Sequence, residues 1–180
     1  MRAETAPSTK IEVGLATAFG CTIQGAVPED DVVRLAQACV AAGVDSVALA
    51  DTVGYANPSQ VRRLFTRVRA EIGDRLEAGH FHDTRGLGLA NVMAALGAGV
   101  RCFDSSLAGL GGCPFAPGAT GNVVFEDLVF LCESKGFATG IDIEKLIAVR
   151  SILRAEMPGE ALYGGLARAG LPAGRTSVAA

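Results

Sequence analysis

A sequence of 180 residues is long enough for one domain with a proper apolar core. Hydrophobic residues make up 49% of the chain and charged residues 19%, a composition that excludes intrinsic disorder. The net charge of −3 is spread along the sequence without a basic patch, which argues against nucleic acid as the main partner.

Four short apolar runs predict strands that are buried on both faces. They lie at residues 11–18, 46–50, 76–82 and 100–105, and each leads into a loop that contains glycine. Amphipathic patterns with recognisable start and stop residues predict five helices. These helices are expected over residues 28–43, 57–73 and 89–96, from Asn122 to Gly136, and from Asp142 onward.

The alternation of strands and helices predicts an α/β fold with right-handed crossovers and a parallel sheet. Four strand–helix units are half of a (β/α)₈ barrel, whose usual length is about 250 residues. A four-stranded parallel sheet could also form a small doubly wound domain. The sequence pattern alone leaves both architectures open.

Polar residues follow the predicted strands, at the ends where parallel α/β folds carry their functional groups. The second strand ends at Asp51, and the third ends with His80 and His82, the only histidines in the chain. Residues i and i+2 of a strand point to the same face, so both imidazoles can aim at one point. Two neutral imidazoles with one or two oxygen ligands would bind a divalent metal ion. A chance pair on a strand is the alternative.

The fourth strand leads into a glycine-rich loop, residues 109–122, which contains Cys113 and ends at Asn122. The loop could cradle a phosphate, but no Walker lysine follows it and the Gly-x-Gly-x-x-Gly spacing is absent. A lid that carries a reactive Cys113 fits better, although this cysteine could also pack beneath the loop. Asn122 could give an oxygen ligand to a metal ion or cap the following helix.

The sequence also indicates the compartment. Residues 1–10 lack the apolar segment of a signal peptide, and no apolar run approaches the roughly 18 residues that a membrane span requires. Five cysteines without framework spacing are typical of reduced thiols. We therefore expect a cytoplasmic protein with no membrane partner, in which every cysteine except Cys113 is a small core residue.

Together these segments resemble the 3-hydroxy-3-methylglutaryl-CoA lyase family, within the larger group of metal-dependent barrel lyases and synthases. The segment His-Phe-His-Asp-Thr at residues 80–84 is shared with synthases and carboxyltransferase domains. The run around Cys113 resembles the catalytic loop of the lyases themselves. The resemblance covers nearly the whole chain and implies one partial domain, residues 1–180. That domain would comprise strands 5–8 of a TIM barrel plus C-terminal helices, with the N-terminal half missing.

The resemblance implies a role for each candidate residue. His80, His82 and Asn122 would bind Mg²⁺ or Mn²⁺, and Cys113 would handle a proton at the acetyl-CoA carbon. Asp51 would be a second catalytic residue, in the surround of the active site, to which Glu126 would also belong. The implied reaction cleaves 3-hydroxy-3-methylglutaryl-CoA, or a related 3-hydroxyacyl-CoA, to acetyl-CoA and a keto acid, as in leucine degradation.

One departure from the family pattern has a large consequence. The first barrel strand of the family ends in an Arg-Asp pair that binds substrate and metal, and this sequence has no such segment. Without that carboxylate we expect weak binding of Mg²⁺. A half-barrel would also expose two strand edges and a wide apolar inner face, so we expect a homo-oligomer or an N-terminal half-barrel partner.

Two alternative functions stay open from the sequence. One is a metal-binding half-barrel that self-associates without catalysis. The other is a relative that condenses acyl-CoA or transfers a carboxyl group on the same scaffold, and the glycine-rich setting of Cys113 weighs against it.

Overall fold

The computed structural model describes residues 9–112, 118 and 120–174. Over these residues the strands are β1 Glu12–Leu15, β2 Ser46–Asp51, β3 Leu76–Phe81 and β4 Cys102–Asp104. In the same part of the chain the α-helices are α1 Glu29–Ala41, α2 Pro58–Ile72, α3 Gly88–Gly97, α4 Phe125–Ser134, α5 Ile143–Glu156 and α6 Gly165–Ala169. The four predicted strands and five predicted helices are confirmed, and α6 is additional.

The strands are parallel and hydrogen-bond in the order β1-β2-β3-β4. Helix α1 packs beside α2, α2 beside α3, and α3 beside α4, so these helices form one layer against the sheet. A doubly wound sheet would reverse its strand order and carry helices on both faces. The observed order is that of successive β/α units in a barrel wall, with α5 and α6 added at the C-terminal end.

Local sequence explains where the helices begin and end. Asn57 Oδ1 accepts the N–H of Gln60 at 3.1 Å, which caps the start of α2. Asp142 caps α5 in the same way. Gly73 follows α2 with a φ of 58°, a left-handed conformation that favours glycine.

Alternation along β3 separates its histidines from the core. Phe81 is 1% exposed, and its ring centroid lies 6.0, 6.2 and 6.5 Å from those of Phe19, Phe65 and Phe103. Phe65 belongs to α2, so this aromatic cluster joins the strand to the helix layer. Because neighbouring residues on a strand point to opposite faces, His80 and His82 project from the other face of the sheet.

The edge strands expose polar or small residues. In the described part of the chain β1 and β4 each pair with one neighbour, as predicted for a half-barrel. Strand β1 exposes Glu12 and Gly14, and β4 exposes Cys102 and Asp104, whereas every residue of β2 is buried. The expectation of a wide apolar inner face is therefore wrong for these strands.

The cysteines differ from their predicted burial. Cys21, Cys39, Cys102 and Cys132 are free thiols in the part of the chain that the structure describes. Cys102 is exposed and the other three are only partly buried, although Cys39 and Cys132 pack against the core. The prediction of a core position therefore fits Cys39 and Cys132, and it is wrong for Cys21 and Cys102. Among the described helices, none is both long and apolar enough to cross a membrane.

Candidate metal centre and active site

The polar residues predicted from the strand ends meet at the carboxyl edge of the sheet. Strands β2, β3 and β4 are parallel, so Asp51, His80 and the residues after them lie along one edge. Asn122 joins this edge through an isolated antiparallel bridge to His82. The structure thus brings His80, His82 and Asn122 together, although Asn122 lies 40 positions beyond His82 in the sequence.

The two imidazoles face each other at close range. His80 Nε2 and His82 Nε2 are 3.1 Å apart, and the ring centroids are 5.1 Å apart. Two ligands at adjacent corners of an octahedral ion are separated by about 3 Å when each metal–ligand bond is ~2.1 Å. The same distance fits a hydrogen bond between the rings if one of them is protonated on Nε2. The separation is therefore compatible with a shared cation and with a structural pair.

The surroundings keep His82 neutral. His82 is 5% exposed, and its Nδ1 atom is buried without a hydrogen-bond partner. Burial, together with the neighbouring His80, lowers the pKa of His82 to about 4. A neutral imidazole is the form that binds a metal ion. On the other ring, His80 Nδ1 lies 3.5 Å from Asp104 Oδ2, on the side away from His82.

Asn122 does not cap the helix that follows it. The N-cap of α4 is Val124, which makes no side-chain cap hydrogen bond. Asn122 Nδ2 instead donates to the carbonyl oxygen of Leu110 at 2.8 Å, and Oδ1 is buried without a partner. The N-cap alternative is thus wrong. A buried amide oxygen without a donor is costly, and a cation would satisfy it.

These three side chains fit a divalent ion, but as an incomplete set. They offer two imidazole nitrogens and one amide oxygen, a donor set that suits Mg²⁺ or Mn²⁺ only together with further oxygens. Among residues 9–112, 118 and 120–174, no group of three His, Cys, Asp or Glu side chains could hold a metal ion. Further ligands would have to come from water, substrate or other residues.

Asp51 lies at the end of β2, as predicted, and its carboxylate is bound to backbone. The residue is fully buried, and its two oxygens accept the N–H groups of Tyr55 at 2.8 Å and Ala56 at 3.0 Å. Burial raises the pKa of Asp51, while these hydrogen bonds oppose the rise. Its carbonyl oxygen accepts the N–H of His82 at 3.3 Å. Asp51 therefore fixes the loop after β2 next to the histidine pair.

A buried ion pair lies beside the turn that precedes the glycine-rich loop. Glu126 is fully buried, and its Oε1 is 2.5 Å from Arg150 Nη1. Glu126 also accepts the N–H of Ala108 at 3.1 Å, and Ala108 has a positive φ of 56°. Arg150 Nη2 donates to Tyr163 O at 2.8 Å, and Tyr163 N donates to Ala108 O at 2.9 Å. Sequence reasoning missed Arg150, because nothing in the pattern of α5 distinguishes it from an exposed arginine.

The ion pair supports the turn that orients Asn122. The turn Leu107–Gly109 begins at Ser106, whose hydroxyl donates to Leu110 O. The same carbonyl oxygen accepts Asn122 Nδ2. Gly111 lies beside this contact, because a Cβ there would be 2.6 Å from Asn122 Nδ2. Cys113, the predicted catalytic cysteine on this loop, lies outside the described residues.

Gly121 is expected to tolerate no side chain. Its φ is +119°, and a Cβ there would lie 1.8 Å from the carbonyl oxygen of Gly109. We expect Gly121→Ala to lower the free energy of unfolding by about 1–3 kcal/mol. It should also weaken Mn²⁺ binding, because the neighbouring Asn122 must shift. Urea denaturation and a Mn²⁺ titration measure the two effects.

Gly136 provides the matched control for this substitution. It also has a positive φ, +86°, but a Cβ there would meet nothing within 4 Å. Gly136→Ala should therefore cost only the backbone strain, about 1 kcal/mol, and leave Mn²⁺ affinity unchanged. Equal Mn²⁺ affinity in both alanine variants would contradict the proposed link between Gly121 and Asn122.

Comparison with known proteins places this arrangement in one family. A family profile described as HMGL-like matches residues 3–153. The hydroxymethylglutaryl-CoA lyase of Pseudomonas mevalonii is 40% identical over 157 residues, which are 87% of this chain and 52% of that protein. The (R)-citramalyl-CoA lyase of Chloroflexus aurantiacus is 44% identical over 154 residues, which are 84% of this chain and 49% of that protein.

A solved structure agrees with the sequence relatives. An HMG-CoA lyase from Acinetobacter baumannii, in complex with coenzyme A and 3-methylmalate, matches with a TM-score of 0.86 and 43% sequence identity. The match covers 96% of this chain and 56% of that chain. The chain thus spans about half the length of the relatives that it matches.

Proposed function

Because this chain belongs to the HMGL-like family, we propose that it carries the metal site and catalytic loop of an acyl-CoA carbon–carbon lyase. The observation that carries the proposal is a pair of imidazole Nε2 atoms 3.1 Å apart, one of them on a residue that pairs through its backbone with Asn122, whose Oδ1 is buried without a partner. The proposed substrate is 3-hydroxy-3-methylglutaryl-CoA or a related 3-hydroxyacyl-CoA. Relatives named for hydroxymethylglutaryl-CoA and for citramalyl-CoA both support that class.

His80, His82 and Asn122 are the residues that would hold the ion. When bound, Mg²⁺ or Mn²⁺ supplies a positive charge that lowers the pKa of the substrate 3-hydroxyl and organises the oxygens around it. The lowered pKa of His82 keeps this imidazole available at neutral pH. The hydrogen bond to Leu110 directs the Asn122 oxygen by fixing its amide nitrogen.

The reaction breaks one carbon–carbon bond and moves one proton. In the proposed cleavage the 3-hydroxyl passes its proton to a solvent base, the C2–C3 bond breaks, and the electron pair moves to the acetyl thioester as an enolate. The group that protonates this enolate later regains a proton from solvent, so the net transfer is one proton from oxygen to carbon. The enolate carbon must be protonated before it recombines with the keto acid. We assign that proton to the thiol of Cys113, since a loop that closes over the site can deliver it away from water.

We propose that Asp51 acts from the surround of the site. Its two oxygens bind Tyr55 N and Ala56 N, and its backbone binds His82, so it holds a predicted metal ligand in place. Glu126 is assigned the corresponding role beside the turn that precedes the loop, through Ala108 and Arg150. Neither residue needs to contact substrate for these roles.

We further propose that catalysis needs ligands beyond those of the described residues, in particular a carboxylate. The free edges of β1 and β4 support this proposal, because each could pair with another strand. A second copy of the chain or a polypeptide with the N-terminal half of the barrel would supply the partner. The free thiols favour a cytoplasmic location.

A non-catalytic, metal-binding half-barrel is the second candidate function. It is favoured by one observation, the lack of a third His, Cys, Asp or Glu ligand among the described residues. Both candidate functions predict Mn²⁺ binding, so only the turnover of acyl-CoA distinguishes them. The 180-residue chain alone is expected to bind Mn²⁺ weakly and to turn over acyl-CoA negligibly.

Cys113→Ala tests the lyase proposal. In an assembly that contains an added N-terminal half-barrel, we expect the substitution to reduce cleavage about 100-fold or more, the scale of a lost general acid. Mn²⁺ binding should stay unchanged, since the thiol is not among the proposed ligands. A coupled assay of acetyl-CoA release and a Mn²⁺ titration measure the two quantities.

Cys102→Ala is the matched control, because Cys102 is an exposed free thiol of β4. It should leave cleavage and Mn²⁺ binding unchanged. Full activity of Cys113→Ala would make the loop cysteine structural. Absence of cleavage in every assembly that binds Mn²⁺ and acyl-CoA would favour the non-catalytic half-barrel instead.

A further inference from the structure

A pocket of about 530 Å³ lies beside the candidate metal site. Its wall includes Asp83, which directly follows His82, and Val124, which lies two residues after Asn122. Gly164 and Gly165, at the start of α6, form another part of the wall. Loops after β3 and β4 and a short C-terminal helix thus build the pocket. In (β/α)₈ barrels, the loops after the last two strands and a short extra helix frequently bind phosphate.

Three arginines line this pocket. Arg150 and Arg154 come from α5, and Arg168 comes from α6. Arg154 and Arg168 are exposed, and within the described ranges no carboxylate pairs with either guanidinium group. Each therefore has several N–H donors available to a ligand.

Arg150 forms the buried floor of the arginine cluster. It is 5% exposed, and its two terminal nitrogens are bound to Glu126 and to Tyr163 O. Its Nε, in contrast, is buried without a hydrogen-bond partner. A buried N–H group without an acceptor is unfavourable. An anionic ligand in the pocket would provide that acceptor.

Two carboxylates also line the pocket, and both are bound to backbone. Asp83 Oδ1 accepts the N–H of Gly88 at 2.7 Å. The two oxygens of Asp127 accept the N–H groups of Gly165 and Leu166 at 2.8 Å each, so these amides are not available to a ligand. The carboxylates reduce the positive charge of the pocket, and the guanidinium groups retain unused donors. Recognition would therefore depend on the arginine side chains.

We infer that this pocket binds a phosphate group, held by Arg154 and Arg168, with Arg150 as the buried arginine of the same lining. Guanidinium groups suit this ligand because their paired N–H donors match two phosphate oxygens. The source could be an acyl-CoA or a free phosphate compound. Coenzyme A carries its phosphates at the far end of the pantetheine arm, and the pocket lining runs from Asp83, next to His82, to the two exposed arginines. The choice of coenzyme A rests on the proposed function, whereas the phosphate site itself does not.

Titration calorimetry on the full chain with three probes tests the inference. Pyrophosphate reports the phosphate site, coenzyme A reports the proposed source, and pantetheine lacks phosphate. In the double variant Arg154→Gln/Arg168→Gln, pyrophosphate and coenzyme A should each bind at least tenfold more weakly. Pantetheine binding and Mn²⁺ binding should be unchanged. Both arginines are exposed, so the variant should fold normally.

The double variant Arg34→Gln/Arg62→Gln is the matched control. It removes the same charge from exposed arginines on α1 and α2, and it should bind all three probes like the unmodified chain. Loss of pyrophosphate affinity without loss of coenzyme A affinity would assign the pocket to a free phosphate compound and overturn the coenzyme A assignment. Equal pyrophosphate affinity in both double variants, or no binding to the unmodified chain, would overturn the phosphate site. Retained coenzyme A binding without cleavage, in an assembly that contains an added N-terminal half-barrel, would count against the proposed lyase chemistry only.

Discussion

Replacing His82 with glutamine is expected to weaken Mn²⁺ binding at least 100-fold and to abolish cleavage in a complete assembly. The substitution removes the Nε2 that lies 3.1 Å from His80 Nε2 and leaves one imidazole and one amide oxygen. If one metal–imidazole bond contributes about 3 kcal/mol to the free energy of Mn²⁺ binding, its loss lowers the affinity about 100-fold. A Mn²⁺ titration of the full chain at neutral pH, followed by electron paramagnetic resonance, measures this change.

Glu77→Gln is the control for the His82 variant. Glu77 lies near the start of β3, the strand that leads into His82, and is exposed. It should therefore bind Mn²⁺ like the unmodified chain. Circular dichroism of both variants separates a lost ligand from a lost fold. Unchanged Mn²⁺ affinity in a folded His82→Gln protein would mean that the two histidines form a structural hydrogen-bonded pair.

The strand–helix order was predictable because local patterns determine it. Buried parallel strands read as short apolar runs, and Asn57, Asp142 and Gly73 mark helix ends through contacts within four residues. The choice between barrel and doubly wound sheet was not predictable. It depends on strand order and on the layer of the helices, which are long-range properties that no local pattern encodes.

The histidine pair was predictable for a similar reason. Its geometry follows from the two-residue period of a strand, with Phe81 between the histidines packed into the aromatic cluster. The inner face was predicted wrongly because the edge strands place Glu12 and Asp104, rather than large apolar residues, at exposed positions. An apolar run in the sequence indicates the average polarity of a strand and does not indicate the polarity of each of its two faces.

Two features of the candidate site depend on contacts that sequence spacing does not reveal. Asn122 precedes a helix and therefore resembled an N-cap, yet its amide binds Leu110, which lies 12 residues earlier in the chain. Arg150 lies 24 residues after Glu126 on another helix, and the two residues meet where α5 packs beside α4. Both contacts join residues that are distant in the sequence, and the contact of Arg150 with Glu126 forms only when α5 packs beside α4.

Arg150→Met is expected to lower the free energy of unfolding by about 3–5 kcal/mol, the cost of leaving a buried charge without its partner. Glu126 is fully buried, and the variant removes both its ion pair and the hydrogen bond from Arg150 to Tyr163 O. Urea denaturation at neutral pH measures the change. Arg154→Met, one turn further along α5, replaces an exposed arginine and should cost less than about 0.5 kcal/mol.

The double variant Arg150→Met/Glu126→Gln separates charge burial from lost packing. Glutamine keeps an acceptor for the N–H of Ala108 but carries no charge, so the double variant should be more stable than Arg150→Met alone. The losses of unfolding free energy in Arg150→Met and in Glu126→Gln can be compared with the loss in the double variant. If the two single losses simply add, the two residues are not coupled and the buried-charge explanation is wrong. Mn²⁺ affinity supplies an independent readout, because the same pair supports Ala108 and the turn that leads to Leu110. In folded Arg150→Met we expect that affinity to fall, since Asn122 loses its fixed partner, whereas in Arg154→Met it should not change.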